Sequence, residues 1–267
     1  MRSTWLIAVN VFRESVRDKV LYNLVIFAVV LMGASYLVGQ LTAGQDVKII
    51  KDLGLAAISV FGLFIAVFIG IGLVSKEVEK RSIYSLLSKP VSRVQIVLGK
   101  YIGLVLTLAV NLSVMVLALY SVLAYMAWSL GPASAAAGQP VLDPAMLKAA
   151  VLTFLELAIV TAIALFFSTF STPMLSAALT VGLFVAGRFS ADLRNFDQVV
   201  DAPPAAALAR GLYWVLPNLA PFDVRAQVVH GLPVPPGYMA LTSLYAALYV
   251  AALLVAASAV FARRDFR

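Results

Sequence analysis

Very few residues in this chain could do chemistry. Cysteine is absent and His230 is the one histidine, which excludes thiolate metal sites, cysteine nucleophiles and multi-histidine centres. The acids to weigh are Glu156, set in a long apolar run, and the pair Glu77 and Glu79 in the charged stretch SKEVEKRSIYSLLSKPVSR, from Ser75 to Arg93. An ionised carboxylate in hydrocarbon is costly and by default a functional candidate. Several readings of Glu156 stay open: it lines a substrate path or binds a cationic substrate, it is protonated, or it sits near an interface and pairs with Lys148 or Arg188. Asn23 and Asn111 read as interhelical hydrogen-bonding groups, with Asn111 a second candidate for the path. Gly99-Lys100 invites a phosphate loop, but that motif needs glycine at 94 and Ser or Thr at 101, where Val94 and Tyr101 stand. On this reading the chain has no nucleotide site of its own.

The elements that must position these residues belong to a membrane. Of the 267 residues 62% are hydrophobic and 12% charged, about half the charged share of a soluble domain. A spanning helix takes about 20 apolar residues. Six segments qualify: roughly Leu21 to Val38, Leu53 to Val74, Tyr101 to Trp128, Ala149 to Phe170, Met174 to Phe189 and Tyr238 to Phe261. The fifth is the shortest and is joined to the fourth only through Ser171, Thr172 and Pro173, where a hydroxyl N-cap and a proline restart the helix. The first is a retained span rather than a leader, since the residues before it carry Glu14 and Asp18 and are themselves periodic.

The expected fold is an all-α integral membrane protein, one domain over residues 1–267, with six transmembrane helices. Residues 1–20 are read as an amphipathic interfacial helix, with Trp5, Val9, Phe12 and Val16 on one face and Asn10, Arg13, Glu14 and Arg17 on the other. A cytosolic helix packed on a partner is the alternative. Residues 190–236 hold short external or re-entrant helices, one starting at Asp201-Pro203 and one capped by Asp223 and ending at His230 and Gly231. His230 there is a surface histidine. Gly62, Ala66, Gly70, Gly72 and Ser59 permit close helix approach, either within one subunit or at a dimer seam.

Charge sets the orientation. With both termini cytoplasmic, thirteen of the twenty basic residues lie inside, Arg13, Arg17, Lys80, Arg81 and Arg93 among them. The net charge of +7 is then mainly a topology signal, with no soluble basic face for nucleic acid.

Topology does not explain the apolar residues of the charged stretch. Ile83, Leu86, Leu87 and Pro90 share a helical face, with Glu77, Lys80, Arg81, Ser85, Ser88 and Lys89 on the other. Pro90 ends that short helix. Ser92 and Gln95 then have capping-box spacing, which starts a helix running into the third span. Residues 76–92 are thus a lever: a push on the short helix moves the third span. A plain charged loop is the alternative, but exposed apolar side chains seek cover.

The run EVEKRSIYSLLSKPVSRVQIVLGKY resembles the cytoplasmic loop of ABC-2 type permeases, the membrane subunits of ATP-binding cassette exporters, and most of all their NosY-type branch with the type V exporter fold. Glu77, Glu79, Leu86, Leu87, Pro90, Arg93, Gly99 and Lys100 match as they stand, while the family's Gly-Thr is Arg81-Ser82 here. The N-terminal FRESVRD, the six spans and the short helices before the last span fit the same layout. The resemblance implies that residues 77–88 form a coupling helix seated in a separate ATPase, with Glu77, Glu79, Arg81, Ile83, Leu86, Leu87, Pro90 and Arg93 as the coupling residues. It implies two ATPases and a second permease, identical or homologous, in the inner membrane. ATP and magnesium would be bound by the partner, and this chain would be no enzyme and hold no cofactor. A lipid-modifying membrane enzyme is a rival reading, but such chemistry wants several acids, histidines or a metal cluster. An ion-driven secondary transporter is another, for which repeated halves and broken helices are expected and are not visible.

Overall fold

The computed structural model describes residues 2–40, 46–79, 92–130, 141–190 and 216–263. Among them every regular element is helical: α1 (Arg2–Val16), α2 (Lys19–Gln40), α3 (Asp46–Glu79), α4 (Arg93–Leu130), α5 (Ala145–Ser168), α6 (Pro173–Arg188), a 3-10 turn (Ala220–Phe222), α7 (Arg225–Val229) and α8 (Pro236–Arg263). Five of them, α2, α3, α4, α5 and α8, are long and apolar enough to cross a membrane. With 16 residues, α6 reaches only about 24 Å, short of a hydrocarbon core of about 30 Å.

The helix boundaries follow side-chain chemistry. Asp18 accepts the Val20 amide at 3.1 Å, so α1 turns into α2 within two residues. Ser92 and Gln95 form the expected reciprocal box, each side chain taking the other's amide at 3.3 Å. Asp143 accepts the Ala145 amide at 2.8 Å and opens α5. Thr172 and Pro173 restart the chain as α6, although the Thr172 hydroxyl makes no capping bond and proline geometry alone sets the start.

The central helix is α5. Fifteen of its 24 residues are buried, as expected of a helix apolar on every side, and it touches α3, α4, α6 and α8. Lipid is as apolar as leucine, so such helices are held by close packing rather than by the hydrophobic effect. A methyl group at Gly70 would fall 2.5 Å from Ala164 Cβ, and one at Gly62 would collide with Leu157. These α3 glycines therefore serve packing inside the subunit; only Gly72 faces open space.

The same device joins α1 to α4. A Cβ at Gly99 would lie 2.8 Å from Ile7 Cβ, and one at Gly103 2.6 Å from the Ala8 carbonyl. The stripe of α1 that packs on α4 is accordingly Ala8, Val11 and Ser15 with Ile7, beside the apolar face of Trp5, Val9, Phe12 and Val16 expected at the membrane interface, because glycines on α4 admit small side chains and backbone. Trp5 stays 58% exposed, with Arg13 and Arg17 exposed and Val9, Phe12 and Val16 half-buried. The expected helix from Asp201 and the apolar residues of the charged loop lie outside the described residues.

Candidate functional site: one guanidinium shared by two carboxylates

At the end of the bundle opposite α1, residues distant in sequence meet around Arg188, the last residue of α6. Its Nε lies 2.7 Å from Glu156 Oε1, an ion contact off the hydrogen-bond direction. Its Nη2 donates to Glu156 Oε2 at 2.8 Å and to Ser59 of α3 at 3.2 Å. Its Nη1 donates to Asp223, and its guanidinium carbon stands 5.4 Å from the centre of the Phe184 ring. Glu156 is 1% exposed, whereas the Asp223 side chain is 39% exposed. Only a planar fork with five donors can hold two carboxylates and a hydroxyl at once.

The segment that brings Asp223 is laid against the bundle by protein partners. Asn218 donates its amide to the Tyr245 hydroxyl at 2.8 Å, and Tyr238 donates to the Pro221 carbonyl at 2.6 Å. The Leu219 amide donates to the Gly187 carbonyl at the end of α6, at 3.0 Å. Leu219, Phe222, Val224 and Val228 are buried beneath. Irregular backbone can reach membrane depth only when its polar groups are covered in this way. The N-cap of α7 is Val224 and makes no side-chain capping bond, one residue after the expected Asp223, whose carboxylate accepts the Arg225 amide at 3.3 Å; the helix ends as expected at His230 and at Gly231 with φ 73°.

Two further ion pairs tie this end. Arg225 Nε lies 3.1 Å from Asp52, and the fully buried Lys51 lies 3.9 Å from Asp143. A cavity of about 350 Å³ adjoins the hub between α3, α5 and α6, with Ser59, Thr153, Arg188, Asp223 and Arg225 as its polar lining and apolar side chains elsewhere.

Of the two pairings open to Glu156, the structure makes the one with Arg188; Lys148 instead donates to the Val234 carbonyl at 3.1 Å. Asn111 is half-buried and donates to Thr107 of its own helix at 2.8 Å rather than reaching across to a neighbour. Arg81, Ile83, Leu86, Leu87 and Pro90 lie outside the described residues, and Glu77, Glu79 and Arg93 are described by backbone alone at the ends of α3 and α4. Sequence reasoning did not foresee Ser59 or Asp223 as partners. The available signal was Arg188 itself, a lone arginine closing an apolar helix. Among the described residues no group of acids and histidines could hold a metal.

None of the curated proteins compared with the chain matches it. The family model for "ABC-2 family transporter protein" matches residues 5–193, well over half of the length. With its apolar helices, this makes the chain a multi-pass membrane protein and a transport component. The chain belongs to the ABC-2 transporter family, as the membrane permease of an ATP-binding cassette transporter.

Proposed function

We propose that this permease is driven by a separate ATPase that docks on residues 77–88, and that it belongs to the NosY-type branch of exporters. One observation carries the reading: α3 and α4 both run far beyond a membrane span on the two sides of this loop. They contain 34 and 38 residues, about 51 and 57 Å of helix against about 30 Å of hydrocarbon. The Ser92–Gln95 box starts α4 directly after the loop, and α1 packs against that stretch at Gly99 and Gly103. A push delivered at the loop therefore moves α4 and α1 together.

The assembly has two permeases and two ATPases in the inner membrane, with both termini cytoplasmic. Glu77, Glu79, Arg81, Ile83, Leu86, Leu87, Pro90 and Arg93 form the docking surface, and ATP with magnesium belongs to the partner. Six spans result when α6 is counted. At its end the Leu219 amide donates to the Gly187 carbonyl, so residues 216–224 lie against the outer end of α6. The helix α1 lies in the interface with Trp5, Phe12, Arg13 and Arg17 at lipid headgroups, and Glu156 and Asn111 border the path.

The test is co-purification of the ATPase and measurement of its turnover. Leu86→Asp with Leu87→Asp should abolish both association and stimulated ATP hydrolysis while the permease still inserts; association that survives both changes rules out docking through this loop.

A further inference from the structure

Another cavity, of about 300 Å³, lies at the end of the bundle away from Arg188, between the α1–α2 turn and the last turns of α3. Glu14, Ser15 and Asp18 line one side of it, and Val20 of α2 with Phe68 and Gly72 of α3 line the other. The apolar run of α2 begins just after Lys19, and that of α3 gives way to Lys76 and Glu77 one turn past Gly72. The cavity therefore stands where hydrocarbon meets headgroups. Val20 is 49% and Phe68 54% exposed, so its apolar side is open to lipid.

Its polar side is unsatisfied. Ser15 is 5% exposed, yet its hydroxyl has no hydrogen-bond partner. A helical serine commonly returns its proton to a carbonyl of the preceding turn, as Ser113 and Ser121 do in α4; Ser15 does not, and an unmet buried hydroxyl is costly. Glu14 beside it is exposed and carries no ion pair among the described residues, while Asp18 gives one oxygen to the Val20 amide. A carboxylate and a hydroxyl oxygen side by side call for a donor with several hydrogens, which a primary ammonium is. A metal ion is poorly served, since among the described residues no three acids or histidines gather. Arg17 and Lys19, on either side of Asp18 in the chain, are exposed. Acids within and bases beside the cavity match a zwitterion whose phosphate follows its ammonium.

We propose that this cavity binds a phospholipid with a primary-amine headgroup, its ammonium on Glu14 and the Ser15 hydroxyl, its phosphate at Arg17 and Lys19, and its acyl chains along Val20 and Phe68. A choline headgroup has the same charge but no N–H, so it leaves the hydroxyl unmet. A volume of 300 Å³, at the small end of ligand pockets, admits the headgroup while the chains stay in the bilayer. The bound lipid fills the space between the α1–α2 turn and α3, and so joins the helix packed on α4 to the helix on the other side of the charged loop. The site requires the membrane and no ATPase.

The experiment uses the full chain, stripped of lipid in dodecyl maltoside, with thermal unfolding followed after addition of dioleoyl phosphatidylethanolamine, phosphatidylcholine or phosphatidylglycerol. Saturating phosphatidylethanolamine should raise the midpoint by about 5 °C, with the other two within about 1 °C of the untreated protein. A side chain at Gly72 meets nothing within 4 Å, so Gly72→Leu fills the cavity, leaves every charge in place and should remove the shift. Glu14→Gln, at an exposed position, should at least halve it. Equal stabilisation by phosphatidylcholine would mean a site for acyl chains alone, and a larger effect of phosphatidylglycerol would mean that Arg17 and Lys19 bind an anion by themselves; either overturns the proposal. Magnesium chloride that reproduces the shift without lipid overturns it in favour of a metal. A phosphatidylethanolamine shift that persists in Gly72→Leu overturns it too, and where that variant does not fold, an undiminished shift in Glu14→Gln does the same.

Discussion

At the scale of single residues, Arg188 decides more than any other side chain. It reaches α5 through Glu156, α3 through Ser59 and the 216–229 segment through Asp223. Removing one partner from a buried ion pair strands the other, a loss of about 3–5 kcal/mol. Glu156→Gln and Arg188→Gln should each destabilise by that order in reversible unfolding in nonionic detergent. The double variant should fall short of the sum by more than about 1 kcal/mol, since the stranded charge is then gone. Additive losses would show that the two groups do not act as a pair. Arg188→Lys should recover little, because an ammonium is a point charge and cannot span two carboxylates and a hydroxyl.

At the scale of elements, glycine placement sets which helices move together. Gly99 and Gly103 let α1 lie against α4, and Gly62 and Gly70 let α3 lie against α5. A side chain at the first seam parts the helix that leads out of the loop from its neighbour. Gly103→Ala should cost about 1–3 kcal/mol by overpacking and should raise amide hydrogen exchange in α1. Gly33→Ala on α2 meets nothing within 4 Å and should not destabilise, since alanine is the better helix former. Equal behaviour of the two variants would remove the seam as the reason for the α1–α4 pairing.

At the scale of the whole molecule, orientation and span number can be tested directly, because the chain has no cysteine of its own. With both termini cytoplasmic and six spans, His230→Cys should react with a membrane-impermeant maleimide in intact spheroplasts. Ser85→Cys should react only after permeabilisation. The reverse pattern inverts the molecule, and labelling of both from one side removes a span between them.

How much of this was legible in the sequence differs by kind of interaction. Local rules carried the apolar runs, the Ser92–Gln95 box, the Pro173 restart and the Asp223–Gly231 helix, because each depends on residues within a few positions of one another. The face of α1 that packs within the subunit was not legible: hydrophobic periodicity marks Trp5, Val9, Phe12 and Val16 as the apolar face, but the choice of the packed stripe beside it belongs to the glycines of α4, nearly a hundred residues away. Glu156 stood out by itself because charge is rare in hydrocarbon. Its partners did not, since Arg188, Asp223 and Ser59 are separated from it by 32, 67 and 97 positions. The sequence by itself determined a polytopic helical permease with a charged loop between its second and third apolar runs. Only the tertiary structure decided that two carboxylates share one guanidinium beside an open apolar groove, because helix packing, unlike capping or hydropathy, is settled between segments that no local pattern connects.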